Sequence, residues 1–217
     1  MKNSIFKIKE KIEEFTFAPE EWDNTGIFID CNNSNNKVLL TIDLTEEVLL
    51  ECINLNIQNI IAYHPIIFTG IKNITDPLFI NSIKNNISVY CPHTRLDLLM
   101  NDYLKELLIN KTFDECVSFF KQTLKTIRVV KGEGKELVVG VGSDFKNNIK
   151  ENSLIVTGEM SHHSHLLAKK KNCSVILLEH SNSERFYVPV LKERLEKELP
   201  EFLFFISEKD KDPIEFI

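Results

Sequence analysis

Residues 170–184, KKNCSVILLEHSNSE, run from a basic helix end through a short apolar strand to His180, Ser181 and, four residues past the histidine, Glu184. The chain contains a second stretch of the same form. Residues 84–97, KNNISVYCPHTRLD, pass from a helix end through SVYC to His93, Thr94 and Asp97. Both end on H-[ST]-x-x-[DE], with the histidine one residue further from the Ser-Val pair in the later copy. A hydroxyl three residues before an acid also fits a capping box, in which Ser181 and Glu184 satisfy amides at a helix start. Two separate caps do not call for a histidine before each, so the pair points to an internal duplication.

Outward from these stretches, short apolar runs alternate with helical patterns. Strands are predicted at KVLLTIDL (37–44), NIIAYH (59–64), SVYCPH (88–93), ELVVGVG (136–142), SLIVTGE (153–159) and SVILLEH (174–180), and EFLFFI (201–206) closes the chain. Helices are predicted at TEEVLLECINLN behind a Thr45 cap, PLFINSIKNN, LDLLMNDYLKELL, DFKNNIK, HHSHLLAKKK and FYVPVLKERLEKEL. The order predicts an α/β fold in which two related βαβαβα halves, residues 1–110 and 111–217, form one compact subunit.

Composition narrows the functional classes. A net charge of -6 over 217 residues gives no chain-wide footprint for nucleic acid, and the locally basic KQTLKTIRVVKGEGK (121–135) reads as a solvated face. The five cysteines are odd in number and lack a C-x-x-C pair, which suits a reducing compartment and suggests neither a disulfide framework nor a thiolate zinc site. The N-terminal MKNSIFKIKEKIEEF alternates basic and acidic residues on a helical period, unlike a signal peptide. No apolar run approaches the roughly 20 residues that span a bilayer. The expected location is the cytoplasm, with the nucleus left open, and neither a membrane nor a specific nucleic acid is an expected partner.

All six histidines, His64, His93, His162, His163, His165 and His180, lie at or just after predicted strand ends. In open α/β sheets that is where ligands bind. Singly each histidine could be structural, but as a set they favour a site. Imidazole and carboxylate donors without cysteine suit zinc, iron, manganese, cobalt or nickel. A carboxylate such as Glu184 or Asp97 can bridge two ions, and such a pair makes hydroxide available near neutral pH, so metal-assisted hydrolysis is the natural reaction class.

WDNTG (22–26), TIDLTEEVL (41–49), IIAYHPIIF (60–68), HTRLD (93–97), TGEMSHH (157–163) and EHSNSERF (179–186) together resemble the NIF-three family (NGG-one-interacting factor three), also labelled GTP cyclohydrolase I type 2. The tail ISEKDKDPIEFI resembles the end of eukaryotic members. The resemblance implies a toroidal homohexamer built from dimers, with up to two divalent metal cations per subunit. It implies His64, Asp97, His180 and Glu184 as ligands, Glu184 bridging, and it places the site between two halves that pack as one unit. Where many bacterial members have a histidine, this chain has Tyr63, a poor ligand beside an imidazole. The expected outcome is a tighter site on His64, Asp97 and Glu184 and a weaker one on His180 and Glu184. Alternatively, Tyr63 packs at its strand end and offers its hydroxyl to a neighbour.

Other residues keep two readings. Glu159 and His162, with His163 and His165, suit acid/base catalysis, support of the ligands, or a substrate phosphate, while Ser161 suits a plain helix cap. His93 is expected behind a ligand rather than on the metal. Asp43 either orients a ligand histidine or forms an Asx turn into the Thr45 helix. WDNTG is expected to be a turn with Trp22 in the core. The functional expectation is a dinuclear metal-dependent hydrolase for a small nucleotide-like or phosphorylated molecule. The alternative is an oligomeric interaction protein, a partner in transcription regulation, whose metals are structural or vestigial; metal storage or delivery is a third.

Overall fold

The computed structural model describes residues 3–143 and 149–214. The chain divides into two compact units, one of Met1–Leu98 and Val188–Lys211, the other of Leu99–Tyr187 and Asp212–Ile217. Each is an α/β layer built on its own sheet.

In the first unit, α1 (Ser4–Phe15) starts at Asn3, whose side chain accepts the Ile5 amide, and buries Ile5, Ile8 and Ile12 on one stripe. Next come β1 (Gly26–Ile29), β2 (Lys37–Thr41), α2 (Glu46–Asn54), β3 (Asn59–Ala62), α3 (Pro77–Lys84) and β4 (Ser88–Cys91). β2, β3 and β4 are parallel neighbours with apolar sequences and almost wholly buried residues, as expected of strands covered on both faces. Leu39, Ile60 and Val89 lie in one cluster with Val48, Cys52 and Phe79 from the helices. Burial of each such aliphatic side chain contributes about 1.5–3 kcal/mol. α2 is capped by Thr45, as expected, and α3 by Asp76 with Pro77 just inside.

The helices end on asparagine. Asn56, Asn86, Asn110 and Asn172 all take positive φ just after a helix, the left-handed stop that glycine more often supplies. Past β4 the chain enters α4 (Asp97–Leu108), which carries it into the second unit, then α5 (Phe113–Phe120), where Thr112 and Glu115 form a capping box. β5 (Arg128–Val130), β6 (Glu136–Gly140), β7 (Ser153–Thr157), α6 (His162–Lys170), β8 (Ser174–Leu177) and α7 (His180–Arg185) follow. The helix expected over DFKNNIK falls on residues 144–148, outside the described residues, and on Ile149 and Lys150, which are not helical. α8 (Val188–Glu198) and β9 (Leu203–Ile206) then return to the first unit, where β9 pairs parallel with β2.

The duplication is visible in strand order. The first sheet runs β1-β4-β3-β2-β9 and the second β5-β8-β7-β6. Each has three successive parallel strands, β2-β3-β4 or β6-β7-β8, with an antiparallel strand, β1 or β5, against the last of them, and the first sheet adds β9 as a fourth parallel strand. Neither antiparallel strand is expected from its sequence. GIFI is only four residues long, and RVV lies in the basic stretch read as a solvated face; its exposure is real, because it is an edge strand. The connection KGEGK (131–135) needs glycine, since a Cβ on Gly134 would sit 2.0 Å from the Ser153 carbonyl oxygen. No helix among the described residues is long and apolar enough to cross a membrane.

Candidate metal-binding residues

In the first unit the strand ends deliver Asp43, Tyr63, His64 and His93, and Asp97 opens α4. The ladder continues past β3, with the Tyr63 amide donating to Thr41 and the His64 amide to Ile42, which fixes where both side chains start. His64 Nδ1 lies 2.8 Å from Asp43 Oδ1. Asp43 thus holds the His64 ring at one nitrogen. His93 Nδ1 lies 2.6 Å from Asp23 Oδ1, a carboxylate only 1% exposed that also accepts the Thr94 amide and hydroxyl. The His93 ring stands 5.7 Å from that of His64.

Tyr63 does not stand idle at its strand end. Its ring packs 4.9 Å from His64 and 5.4 Å from His93, and its hydroxyl donates to Asp97 Oδ1 at 2.6 Å. It thus engages one oxygen of a carboxylate implied as a ligand. WDNTG is a loop whose Asn24 side chain donates to the Ile67 carbonyl. Trp22 is not in the core. It is 69% exposed and meets the His93 ring edge-on at 6.1 Å, because Asp23 rather than Trp22 is the residue drawn inward, under His93 and Thr94.

In the second unit the matching ends of β7 and β8 deliver Glu159 and His180. Glu159 Oε1 lies 2.8 Å from His180 Nδ1, while His180 Nε2 lies 3.2 Å from Oε1 of the buried Glu184. The two sit one turn apart on α7, so their side chains share a face. The predicted capping box is absent. α7 begins at His180, two residues earlier than a Ser181 cap requires, and the residue before it, Glu179, makes no side-chain cap. Ser181 instead donates to Asp212 Oδ2 and accepts from Arg185 Nη1. Glu184 is thereby turned to the histidine rather than to the helix end.

Two glycines make room for this pair. Gly142 has φ +61°, and a Cβ there would stand 2.8 Å from Glu184 Oε1 and 3.2 Å from His180 Nε2. Its amide donates to Ser183 Oγ, and Ser183 in turn donates to the His180 carbonyl. Gly158 is as tight, since a Cβ there would lie 2.4 Å from the Gly142 carbonyl oxygen.

Glu179 is buried at φ +69°, and Arg128 on β5 meets it with a two-pronged pair of hydrogen bonds, 2.7 and 3.0 Å. Arg128→Ala leaves that carboxylate without its guanidinium. Because the Arg128 side chain is 48% exposed, the expected loss of stability is modest, about 1–2 kcal/mol, read as a lower midpoint in denaturant.

His162 and His163 are exposed at the start of α6, their rings 5.8 Å apart, and Ser161 caps the helix by accepting the Ser164 amide. His165 is held below its ordinary pKa by burial first, then by the charges of Arg128 and His162. A folded-state value below the unfolded one means that the unfolded chain takes up the proton more readily. Stability from this residue is thus present above about pH 6.5 and falls as the pH drops below it. The cysteines offer no competing chemistry: burial raises Cys52 to about 12 and pushes Cys91 well above its ordinary range, so neither is a thiolate near neutral pH.

Donor atoms suited to a metal ion are accordingly offered by His64 in the first unit and by His180 and Glu184 in the second. In both histidines a carboxylate lies against Nδ1 and fixes the ring, an arrangement typical of metal-ligating imidazoles. Comparison with known proteins agrees with the duplicated strand order. A family model described as Duf34/NIF3 (NGG1p interacting factor 3) matches residues 2–116 and again 100–213.

The chain belongs to the NIF3 family.

It is 32% identical to NGG1-interacting factor 3 of Saccharomyces cerevisiae, over 91% of each chain. It is 33% identical to Protein NIF3 homolog of Schizosaccharomyces pombe, over 98% of each. It is also 31% identical to the GTP cyclohydrolase 1 type 2 homolog of Clostridium perfringens, over 99% of each. Among solved structures, a Bacillus cereus protein related to NIF3 superposes over the full length of both chains with a TM-score of 0.82 at 17% identity. Reduced HcgD from Methanocaldococcus jannaschii gives 0.76 at 23% identity, covering 94% of this chain and 97% of its own. These two likenesses establish the fold.

Proposed function

We propose that this NIF3 protein binds divalent cations, that His64, Asp97, His180 and Glu184 are the residues that would hold them, and that it hydrolyses a small phosphorylated or nucleotide-like substrate. The observation that carries the metal reading is His180, held at Nδ1 by Glu159 and turned at Nε2 to the buried carboxylate of Glu184; His64, held by Asp43, repeats the first of these contacts, while His93 on Asp23 shows that a carboxylate at Nδ1 does not by itself mark a ligand. The glycine at 142 adds to it, because ordinary packing does not require a position where any side chain would strike both His180 and Glu184. When bound, a divalent cation supplies Lewis acidity and lowers the pKa of coordinated water to about 7. Asp43 and Glu159 orient the two imidazoles. Exposed His162 is the candidate proton donor. The hydrolytic part of the reading rests on the name of the Clostridium perfringens relative.

A second reading has its own support. Tyr63 engages Asp97, which weakens one of the proposed ion positions, and the yeast relative is named as an interacting factor. On that reading the chain is an interaction protein, assembled as a homohexamer built from dimers and joined to a regulator of transcription, with metals in a structural role. Measuring bound metal, assembly state and turnover of a panel of phosphorylated and nucleotide substrates separates the two. Turnover lost together with metal in Glu184→Ala supports the hydrolase; no turnover in the wild type, with assembly weakened in the variant, supports the scaffold.

Tyr63 gives a further prediction. Tyr63→His supplies an imidazole, so the weaker ion is expected to bind at least about tenfold more tightly, while release of Asp97 from the phenol acts on the tighter one. Tyr63→Phe removes only the hydrogen bond and is expected to give a smaller gain. Isothermal titration with zinc(II) reads both.

A further inference from the structure

We infer that Asp210, in the segment following β9, is a positioning residue for the ligand His64; this rests on the metal reading given above. Asp210 is far from the motifs in sequence, yet its carboxylate accepts the Ile42 amide at 2.9 Å on Oδ2 and the Asp43 amide at 3.5 Å on Oδ1. Ile42 is fully buried and stands just past β2. A buried amide without an acceptor is costly, so the Asp210 carboxylate is well placed to hold this dipeptide still. Asp43 then carries the constraint outward, since its side chain holds His64 Nδ1.

Asp210 is itself built in. The ladder of β9 on β2 continues one step, with the Ser207 amide donating to Leu40, and Ser207 Oγ then accepts the amides of Lys209 and Asp210 at 3.1 Å each. That turn is clamped from below by Glu51 on α2, only 9% exposed, which takes the Ser207 hydroxyl at 2.5 Å and the Glu208 amide at 2.9 Å. A buried carboxylate on α2 thus sets a turn, the turn sets Asp210, Asp210 sets the Ile42–Asp43 amides, and Asp43 sets His64. Every link lies within the first unit. The Asp43 carboxylate so held places negative charge at Nδ1 of the imidazole, which strengthens it as a donor to a cation.

The test uses the full-length protein and zinc(II) alone, measured by competition with a chromophoric chelator, together with side-chain NMR of His64 in metal-free protein. Asp210→Ala is expected to weaken zinc binding about tenfold and to turn the single Nδ1–H tautomer of His64 into a mixture. Asp210→Asn, which keeps an acceptor for the Ile42 amide, is expected to stay within about twofold of wild type and to retain the tautomer. His64→Ala separates the two ideas. If it binds zinc like wild type, the metal reading fails and the tautomer alone judges the positioning. If it loses zinc while Asp210→Ala matches wild type in both affinity and tautomer, the inference is overturned. Should Asp210→Ala fold poorly, Ser207→Ala carries the test: weaker zinc binding with a mixed tautomer supports the inference, and wild-type values for both refute it.

Discussion

Glu184→Ala is expected to abolish stoichiometric metal binding, with affinity falling by two orders of magnitude or more, about 3 kcal/mol in binding free energy. Glu184 is 2% exposed and 3.2 Å from His180 Nε2, so truncation removes a proposed ligand carboxylate held inside the protein. The same change relieves a cost in the metal-free protein, where a buried carboxylate must be accommodated without its cations. The apo variant is therefore expected to unfold at an equal or higher denaturant concentration than apo wild type. Lost binding with retained or improved apo stability would set a ligand apart from a structural acid. A core-supporting glutamate would show the reverse, destabilised and still metal-bound.

The second large effect is expected at Gly142. Gly142→Ala must adopt φ +61°, which costs about 1 kcal/mol for a residue with a Cβ, and its methyl would lie 2.8 Å from Glu184 Oε1. Either the 141–143 turn or the Glu184 carboxylate has to move, and a ligand displaced by half an ångström no longer meets its ion. Metal affinity is expected to fall at least about tenfold, in line with the loss of a group that orients a ligand. Gly26→Ala is the control, because its φ of +127° is equally unsuited to alanine while nothing lies within 4 Å of the new Cβ. That variant should lose stability and keep its metal. Equal metal affinity in the two variants would mean that the approach of Gly142 to the pair is incidental.

What could be read from the residues, and what could not, divides along the range of the interactions. The parallel strands are legible because KVLLT, NIIA, SVYC and their later counterparts are continuous apolar runs, a local property. The recurrence of H-[ST]-x-x-[DE] behind matching strands is legible, and one turn of helix brings His180 to Glu184, but the ligand set proposed from it, with His64 outside the motif, comes from the family resemblance. The partners that orient the histidines are mostly distant. Asp23 is 70 residues from His93, and Asp210 is 168 residues from the Ile42 amide that it accepts, so no local spacing reveals either. β9 in the first sheet is a choice of the same long-range kind. The capping box fails for a different reason. Its spacing is real, but the helix begins two residues early, so Glu184 faces His180 while Ser181 turns to Asp212 and Arg185. Trp22 misleads through its hydrophobicity, since the loop packs by the carboxylate of Asp23 and leaves the indole in solvent.

The central claim is that the carboxylate-held histidines are there to ligate divalent cations. Equilibrium dialysis of the full-length chain against zinc(II), with ions per chain counted by elemental analysis, tests it most directly in wild type and in His64→Ala, His180→Ala and Glu184→Ala. The account predicts stoichiometric binding in the wild type, one ion held more tightly than a second, and loss of binding in each variant. A wild-type chain that retains no zinc, or three variants that retain as much as wild type, would contradict it.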